Sequence, residues 1–434
     1  MKIYSIQNFD YKISKQNYNK ISFGNKTNLI KNSEVIEVFK DLVKIPSPPL
    51  KENKVADWII NFCKNNKIKA KFDSYKNIKI EIPATDKTKK PILLSAHMDV
   101  VGDDSPVNII IKDGFIQTDG KRTLGADDKA GIATALLLAK KINNSNIPQG
   151  GLEILFTRDE ELGFTGILNA DLKDINSKYV VVLDEASLGK LDKSGAGYTT
   201  GTLSLTTPLG GHSGMDIEDN KRLNAAKMIS ELISKIPQGV YWKGEDEALT
   251  SINIGTIIAG DIQNSAKKIV EDKLISNNYL DFFMKNSVTN VINTKAMATL
   301  SIRSTREDKE NELRQMLVNI VETFNEKYKG LLSAKIDFEE LIPIFEESED
   351  KTLEKAYLKT CEQLNFKPKI GSFPAGAETH IYTKMKNKNN EKFVPVLLGI
   401  ADIFNMHSPA EKINIDSLKK GYELIKEMFL KFNK

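Results

Sequence analysis

Cysteine is almost absent from the sequence, with only Cys63 and Cys361 among 434 residues. The two lie far apart and outside any C-x-x-C pattern, which argues against a disulfide scaffold and against a cysteine-ligated metal site. Such low cysteine usage is typical of a reducing compartment, and residues 1–32 are polar, without the apolar segment of a signal peptide. We therefore expect a cytoplasmic protein.

Long apolar runs and an excess of one charge are also missing. No stretch of about 18 apolar residues occurs, so the sequence predicts no membrane span. The 62 basic and 58 acidic residues leave a net charge of +4, which does not indicate a nucleic-acid partner. The length favours two domains, since single cores stop growing at about 250–300 residues.

Three apolar stretches in the first half of the chain each end in acidic or histidine side chains. They are Leu93–Ala96 before His97 and Asp99, Gly151–Phe156 before Glu160 and Glu161, and Tyr179–Leu183 before Asp184 and Glu185. Helical segments separate them. This alternation is typical of an α/β sheet, in which the carboxyl ends of the strands share one site.

A different pattern begins near residue 197. From there to residue 342 the periodicities predict strand, helix, two strands, helix and strand, which is the βαββαβ order of the ferredoxin-like motif. We interpret 197–342 as an α+β domain inserted into a first domain made of 1–196 and 343–434. Residues 1–32 form an N-terminal extension, and 261–289 an added excursion; neither is assigned a function.

Histidine is scarce as well, with four residues in the chain. His97 stands two positions before Asp99, and side chains two apart on a strand point to the same face. A histidine held by a carboxylate is a common metal ligand, because the carboxylate fixes its tautomer and orientation. Taken alone, this pair is equally compatible with a structural histidine.

Two acidic motifs further along also have a structural interpretation. Glu160 and Glu161 are compatible with the start of an exposed helix, because carboxylates stabilise the first turn. Asp127-Asp128-Lys129 precedes a helix rich in small residues and is compatible with a turn and N-cap. The order in which these motifs follow His97 decides between the interpretations.

Together the motifs resemble the co-catalytic zinc peptidases, the family of peptidase T, aminoacyl-histidine dipeptidases, glutamate carboxypeptidase and succinyl-diaminopimelate desuccinylase. The matching segments are Ser95-Ala-His97-Met-Asp99, Gly125-Ala-Asp127-Asp128-Lys129 and Asp159-Glu160-Glu161. The resemblance runs from about residue 35 to the C terminus and is closest to peptidase T, a tripeptide aminopeptidase. It implies a catalytic domain with a central mixed sheet, and an inserted domain that serves as lid and dimerisation surface.

The resemblance also implies two divalent metal ions per chain, with zinc expected and cobalt or manganese as alternatives. Asp127 is the expected bridge between them. His97 and Asp184 would complete the ligands of one ion, and Glu161 and His407 those of the other. Each ion then keeps an open position for water or substrate, as a catalytic zinc requires.

Three more acidic residues have expected places around these ions. Glu185 is the alternative to Asp184, which we favour because it directly follows the strand. Asp99 would hold His97 from behind. Glu160 would face the bridging water as general base and then as general acid.

In the inserted domain, Gly210-Gly-His212-Ser-Gly214 resembles the lid motif whose histidine reaches the substrate carbonyl. In dimeric members of the family this histidine serves the active site of the partner. A loop histidine that caps backbone groups is the alternative. Ser301-Ile-Arg303-Ser304 resembles the motif whose arginine binds a substrate carboxylate bidentately; a surface salt bridge is the alternative.

Two segments depart from the family pattern. Asn293, in Asn290-Val-Ile-Asn-Thr294, stands where the family usually has proline. Gly376-Ala-Glu378-Thr-His380 stands where the family often has a Gly-Gly-Thr-Asp-like loop. Asn290 and Gly376 are the expected substrate contacts there, and His380 is expected to be structural or substrate-facing and not a metal ligand.

We therefore predict a homodimeric metallopeptidase that hydrolyses an amide bond in a small peptide, as a tripeptide aminopeptidase. An Xaa-His-type dipeptidase and an N-acyl amino acid deacylase are alternatives that use the same metals and base. A non-catalytic peptide-binding relic is the alternative of another class, against which the intact Glu160 and the complete ligand set argue. Neither nucleic acid nor membrane is an expected partner.

Overall fold

The computed structural model describes residues 33–260 and 289–432. The extension 1–32, and the excursion up to residue 288, lie outside the described residues. The described chain forms two compact units. The first comprises its residues up to Lys193, together with Glu347–Gly371 and those from Ala377 onward; the second comprises Ser194–Glu346 and Ser372–Gly376.

The secondary structure alternates between helices and strands along most of the described chain. Its helices are α1 (Ser33–Val43), α2 (Asn53–Asn65), α3 (Ala126–Asn143), α4 (Thr165–Leu168), α5 (Ala225–Ile233), α6 (Glu307–Lys327), α7 (Thr352–Leu364), α8 (Glu378–Tyr382) and α9 (Ile415–Phe432). Its strands are β1 (Lys69–Phe72), β2 (Ile78–Ile82), β3 (Ile92–His97), β4 (Ile109–Lys112), β5 (Phe115–Thr118), β6 (Leu152–Thr157), β7 (Tyr179–Glu185), β8 (Lys190–Gly195), β9 (Gly197–Thr206), β10 (Gly211–His212), β11 (Gly239–Lys243), β12 (Leu249–Ala259), β13 (Val291–Ile292), β14 (Lys295–Ser304), β15 (Ser333–Ile342), β16 (Lys369–Phe373), β17 (Val394–Gly399), β18 (Ile403–Phe404) and β19 (Lys412–Asn414).

An eight-stranded mixed sheet, in the order β1-β2-β6-β3-β7-β17-β8-β16, is the centre of the first unit. The inner strands β6, β3, β7 and β17 run parallel to one another. They are nearly continuous apolar segments because both faces of a parallel sheet are covered. Helix α3 is rich in small residues and almost entirely buried, and α1 and α9 pack with it. The predicted mixed α/β architecture is confirmed.

The second unit contains an antiparallel sheet of five strands, in the order β11-β12-β14-β9-β15. Helices α5 and α6 contribute the apolar residues that cover this sheet, such as Ile229 and Leu317. Apart from the edge strand β11 and the two-residue strands β10 and β13, which pair with each other, the elements follow the βαββαβ order, so the predicted α+β topology of this segment is confirmed.

One prediction about local structure is wrong. The sequence predicts a loop over residues 371–380, which include Gly371, Pro374 and Gly376, but β16 occupies Lys369–Phe373 and α8 begins at Glu378. Both elements are too short to show periodicity, and they form because the sheet and the buried surroundings satisfy their polar groups. The amide of Ala196, for example, donates to the carbonyl of Phe373. Within the described residues, no helix combines the length and apolar composition needed to cross a membrane.

Candidate active site

The predicted metal ligands of the first unit come from the carboxyl ends of three parallel strands and from two loops. His97 is the last residue of β3, and Asp184 lies at the end of β7. Glu161 follows β6, in a single 3-10 turn at Glu160–Leu162. Asp127 lies in the first turn of α3, and His407 follows β18. The structure brings all five together.

Asp127 stands between the two histidines. Its Oδ1 lies 3.0 Å from Nε2 of His97, and its Oδ2 lies 3.0 Å from Nε2 of His407. Because each oxygen faces a different histidine, this carboxylate has the orientation needed to bridge two ions. Ligands about 2.0–2.2 Å from a tetrahedral ion lie roughly 3.3 Å apart, which is close to these separations.

Asp184 and Glu161 lie on opposite sides of this arrangement. Oδ1 of Asp184 lies 3.8 Å from Nε2 of His97, and Oε1 of Glu161 lies 2.9 Å from Nε2 of His407. Glu185 turns elsewhere, because its Oε2 accepts a hydrogen bond of 2.6 Å from the amide of Ser187. The geometry therefore places Asp184, and not its neighbour, beside His97.

The donor set fits divalent cations. Among the described residues, two groups have ligand atoms that all lie within 4.8 Å of one another: His97, Asp128 and Asp184, and His97, Asp127 and Glu161. Oε1 of Glu161 is buried and lies 2.9 Å from Nε2 of His407, a nitrogen that also lies 3.0 Å from Oδ2 of Asp127. One imidazole nitrogen carries at most one proton and cannot satisfy both carboxylates fully, whereas cations among these oxygens would, so the site suits metal ions.

Asp128 belongs to one of these groups but has another task. Its Oδ1 accepts a hydrogen bond of 3.0 Å from the amide of Gly131, and its Oδ2 one of 3.3 Å from the amide of His97. Asp128 therefore caps the helix, as the structural interpretation predicts, whereas Asp127 turns to the histidines.

The electrostatics of the site follow from crowding of carboxylates in a confined volume. Burial raises the pKa of Glu160 and of Asp184 well above the usual range. Hydrogen bonds with Asp127 and Glu161 raise the pKa of His407 to about 11. Two cations would offset this accumulation of like charge, which is the usual reason for gathering carboxylates around metal ions.

Asp99 connects two of the strands that supply ligands. Its carboxylate accepts hydrogen bonds of 3.0 Å from the amides of Glu160 and Glu161, one on each oxygen. Nδ1 of His97 lies 3.0 Å from the Asp99 carbonyl and 3.3 Å from its Oδ1. A single buried side chain thus orients His97 and fixes the turn that carries the glutamates.

Glu160 does begin a helical turn, as the structural interpretation proposed, yet its side chain has no structural partner. None of the described residues donates a hydrogen bond to its carboxylate. The turn is instead anchored from behind by Glu52, whose Oε2 lies 2.7 Å from Nη2 of Arg158 and whose Oε1 accepts from the amide of Asp159 at 3.2 Å. The carboxylate of Glu160 is therefore free to act on a ligand.

Glu411 lies beside the site and was not predicted. It is 1% exposed and accepts hydrogen bonds from the amides of Gly125, Ala126 and Asp127 and from the Thr123 hydroxyl. The only signal in the sequence is its position shortly after His407. A single glutamate without a motif of its own does not reveal such contacts.

His212 lies in the second unit, on an exposed loop. Its Nδ1 accepts hydrogen bonds from the amides of Gly214 at 3.1 Å and Met215 at 3.3 Å. The neutral imidazole must then carry its proton on Nε2. The backbone-capping alternative is thus realised, and it leaves Nε2–H as an outward donor. The carbonyl of Asn290 accepts from the amide of Ser213 at 3.0 Å, so Asn290 supports this loop.

Arg303, in β14 of the same unit, forms no salt bridge with a described residue, which is evidence against the surface salt bridge. Its guanidinium lies 3.9 Å from the centre of the Tyr198 ring, and its buried Nη1 donates no hydrogen bond to a described residue.

Gly376 lies between β16 and α8. His380 is fully buried in the first unit, where its Nδ1 lies 3.1 Å from the amide of Ala377.

Comparison with known proteins gives matches of two kinds. Residues 93–431 match the family described as Peptidase family M20/M25/M40. The cytosol non-specific dipeptidase of Escherichia coli (strain K12) is 29% identical over 211 residues, covering 42% of this chain and 43% of that protein. Peptidase T of Serratia proteamaculans (strain 568) is 32% identical over 120 residues, covering 28% and 27%. The chain thus matches less than half the length of these two curated relatives.

Among solved structures, the aminopeptidase PepT from Bacillus cereus ATCC 10987 superposes with a TM-score of 0.76. The two chains are 21% identical, and the superposition covers 94% of this chain and 100% of that one. At this level of identity the likeness concerns the fold.

Proposed function

Because the chain belongs to peptidase family M20/M25/M40, we propose that it hydrolyses an amide bond of small peptides as a tripeptide aminopeptidase dependent on two metal ions. The family inferred from the motifs is thereby confirmed. The observation that carries the proposal is the position of Asp127, with one oxygen on His97 and the other on His407, next to the unpartnered carboxylate of Glu160.

The five ligands would divide as Asp127, His97 and Asp184 for one ion and Asp127, Glu161 and His407 for the other. Imidazoles and carboxylates suit zinc, and also cobalt or manganese. When bound, the ions would polarise the scissile carbonyl and acidify the attacking water.

Glu160 performs the proton transfers in this proposal. Its carboxylate takes a proton from the attacking water and returns it to the leaving nitrogen, so the two steps use one group in both protonation states. The turn that carries it is fixed by Asp99 on one side and by Glu52 on the other. The base therefore needs little rearrangement to reach its working position.

The second unit supplies the contacts to substrate. Nε2–H of His212 would donate a hydrogen bond to the scissile carbonyl oxygen as negative charge develops on it. Arg303, whose Nη1 lacks an acceptor among the described residues, would bind the terminal carboxylate of the peptide. Asn290 and Gly376 are the further proposed substrate contacts.

Two substrate lengths are candidates. The resemblance to peptidase T implies a tripeptide, and the name aminopeptidase for PepT suggests a free amino terminus, whereas the relative from Escherichia coli is a dipeptidase. We also propose a homodimer formed through the second unit, with His212 acting in the partner's site. A cytoplasmic location completes the proposal, and it agrees with two buried, unpaired cysteines.

Hydrolysis of four peptides tests the function: an unblocked tripeptide, its N-acetylated form, a simple dipeptide and an Xaa-His dipeptide. We expect release of the first amino acid from the unblocked tripeptide, with much slower turnover of the others. Preference for a dipeptide would replace the tripeptidase assignment by a dipeptidase. Preference for the acetylated form would indicate a deacylase, and binding of all four without turnover a peptide-binding relic.

A further inference from the structure

Glu411 is a buried carboxylate that the proposed proton transfers do not use. Its Oε2 accepts from the amide of Gly125 at 2.8 Å and from the Thr123 hydroxyl, and its Oε1 accepts from the amides of Ala126 at 2.9 Å and Asp127 at 3.3 Å. Three consecutive amides and a hydroxyl therefore converge on one side chain. Charge-assisted hydrogen bonds of this kind are roughly twice as strong as neutral ones.

The amides converge because the backbone at the start of α3 is not helical. Gly125 has a φ of +78°, and a Cβ there would lie 2.9 Å from both terminal methyl carbons of Val100. Asp127 has a ψ of 108°, far from the helical value. Without helical dihedrals, these amides point outward to a common acceptor. Glu411 thus determines the direction in which the side chain of Asp127 leaves the turn.

Glu411 and His407 belong to one compact turn. The Ser408 hydroxyl donates to the carbonyl of Asn405 at 2.7 Å, and the amide of Glu411 donates to the carbonyl of Ser408 at 3.1 Å. His407 itself has a φ of +59°, a conformation that this turn maintains. By bonding to the turn of Asp127, Glu411 holds the turn of His407 against it.

From this geometry we propose that Glu411 is a positioning residue that holds Asp127 and His407 at bridging distance and so sets the affinity of the ion bound by Asp127, Glu161 and His407. The inference rests on the proposed two-metal site. The other ion shares Asp127, but its remaining ligands, His97 and Asp184, lie on β3 and β7 and not on the turn of Glu411. Its affinity is therefore much less sensitive to this residue.

The test is metal binding by Glu411→Gln. The side-chain nitrogen of glutamine is a donor and cannot accept from the backbone amides of Gly125, Ala126 and Asp127. The substitution therefore weakens these hydrogen bonds while it keeps the size of the side chain. Chelator-treated protein is titrated with zinc in competition with a coloured chelator, and bound metal per chain is counted. Loss of a group that orients a ligand costs about 10–100-fold in affinity. We expect that loss for the ion of Asp127, Glu161 and His407, and a smaller one for the other ion, which shares only Asp127.

Glu153 provides the matched control. It is 2% exposed and accepts from the amides of Asn176 at 3.0 Å and Ser177 at 2.8 Å and from the Ser177 hydroxyl at 2.7 Å. It lies near the start of β6, away from the strand ends that carry the ligands. Glu153→Gln should lower thermal stability and leave both zinc affinities unchanged. The substitution disrupts an equally buried carboxylate, but that side chain bonds to Asn176 and Ser177 and not to a turn that carries a proposed ligand.

The outcomes separate the inference from the function. Wild-type protein that binds no zinc would refute the two-metal site itself. If wild type binds two ions and Glu411→Gln binds both with the affinities of wild type, the positioning role is refuted. If that variant does not fold, Thr123→Val replaces it, since this substitution removes one donor to Glu411. A smaller loss of affinity for the ion of Asp127, Glu161 and His407, restored in Thr123→Ser, supports the positioning role. Unchanged affinities refute it.

Discussion

The two units hold their histidines in opposite ways. His97, in the first unit, is 2% exposed and is fixed by Asp99 and Asp127 on its two ring nitrogens. His212, in the second, lies on an exposed loop beside Met215, which is 80% exposed, and its ring is held only by amides of that loop. The first unit thus preassembles a ligand cluster, whereas the second carries one oriented donor, Nε2–H of His212, for which we propose the substrate carbonyl as acceptor.

Removal of metal should produce the largest effect on activity, because it empties the whole preassembled cluster of the first unit. Treatment with a strong chelator should abolish peptide hydrolysis, and added zinc, cobalt or manganese should restore part of it. The control is the same chelator saturated beforehand with zinc, which has no capacity left to remove an ion. Full activity in thoroughly demetallated protein would show that the cluster is not the catalytic centre.

Glu160→Gln should be next in size. Loss of a positioned acid–base group typically costs about 10²–10⁴-fold in kcat. Metal content should stay near that of wild type, because the Glu160 carboxylate is not one of the proposed ligands. Glu161→Gln is the matched control, since the neighbouring side chain should be needed for one ion. Loss of an ion in the Glu160 variant would mean that the two roles are exchanged.

His212→Ala tests the second unit and the dimer together. Loss of a donor to the developing oxyanion costs about 10²–10³-fold in kcat. If His212 serves the partner's site, mixing this variant with Glu160→Gln after dissociation creates one intact site in each mixed dimer. Random pairing makes about half the dimers mixed, so activity should recover to roughly a quarter of wild type.

The complementation experiment needs proof that chains exchange, for example with two differently labelled variants. Exchange without any recovered activity would place His212 within its own subunit or outside the reaction. A monomer in solution would exclude the partner model altogether.

The smallest effect is expected at Arg303, which we propose binds only the end of the substrate. Arg303→Met should raise KM for a peptide with a free C terminus about 10–100-fold, since hydrogen bonds to charged groups contribute about 1.5–3 kcal/mol. The C-terminally amidated peptide should be affected much less. Arg306→Met, on an exposed neighbour, is the control. Equal losses for both peptides would argue against carboxylate binding.

The comparison also explains what the sequence could reveal. The ligand-bearing strands were predictable because a strand buried on both faces needs an unbroken apolar run, and the polar residues that end it stand out. Asp127 and Asp128 were identified as a pair, but their division of work depends on the backbone turn before α3. Glu411 was missed because its partners are main-chain amides, which have no signature in sequence. The short α8 was missed for a related reason, since its surroundings, and not periodicity, stabilise it.

The insertion of the second unit has a consequence for synthesis of the chain. Strand β17 lies between β7 and β8 in the central sheet, although it follows the inserted unit in sequence, and His407 comes later still. A nascent chain can therefore complete the second unit while the first lacks an inner strand and one ligand. The proposed metal site therefore gains His407 only after the second unit and β17 have been synthesised, so a shorter nascent chain lacks one of its five proposed ligands.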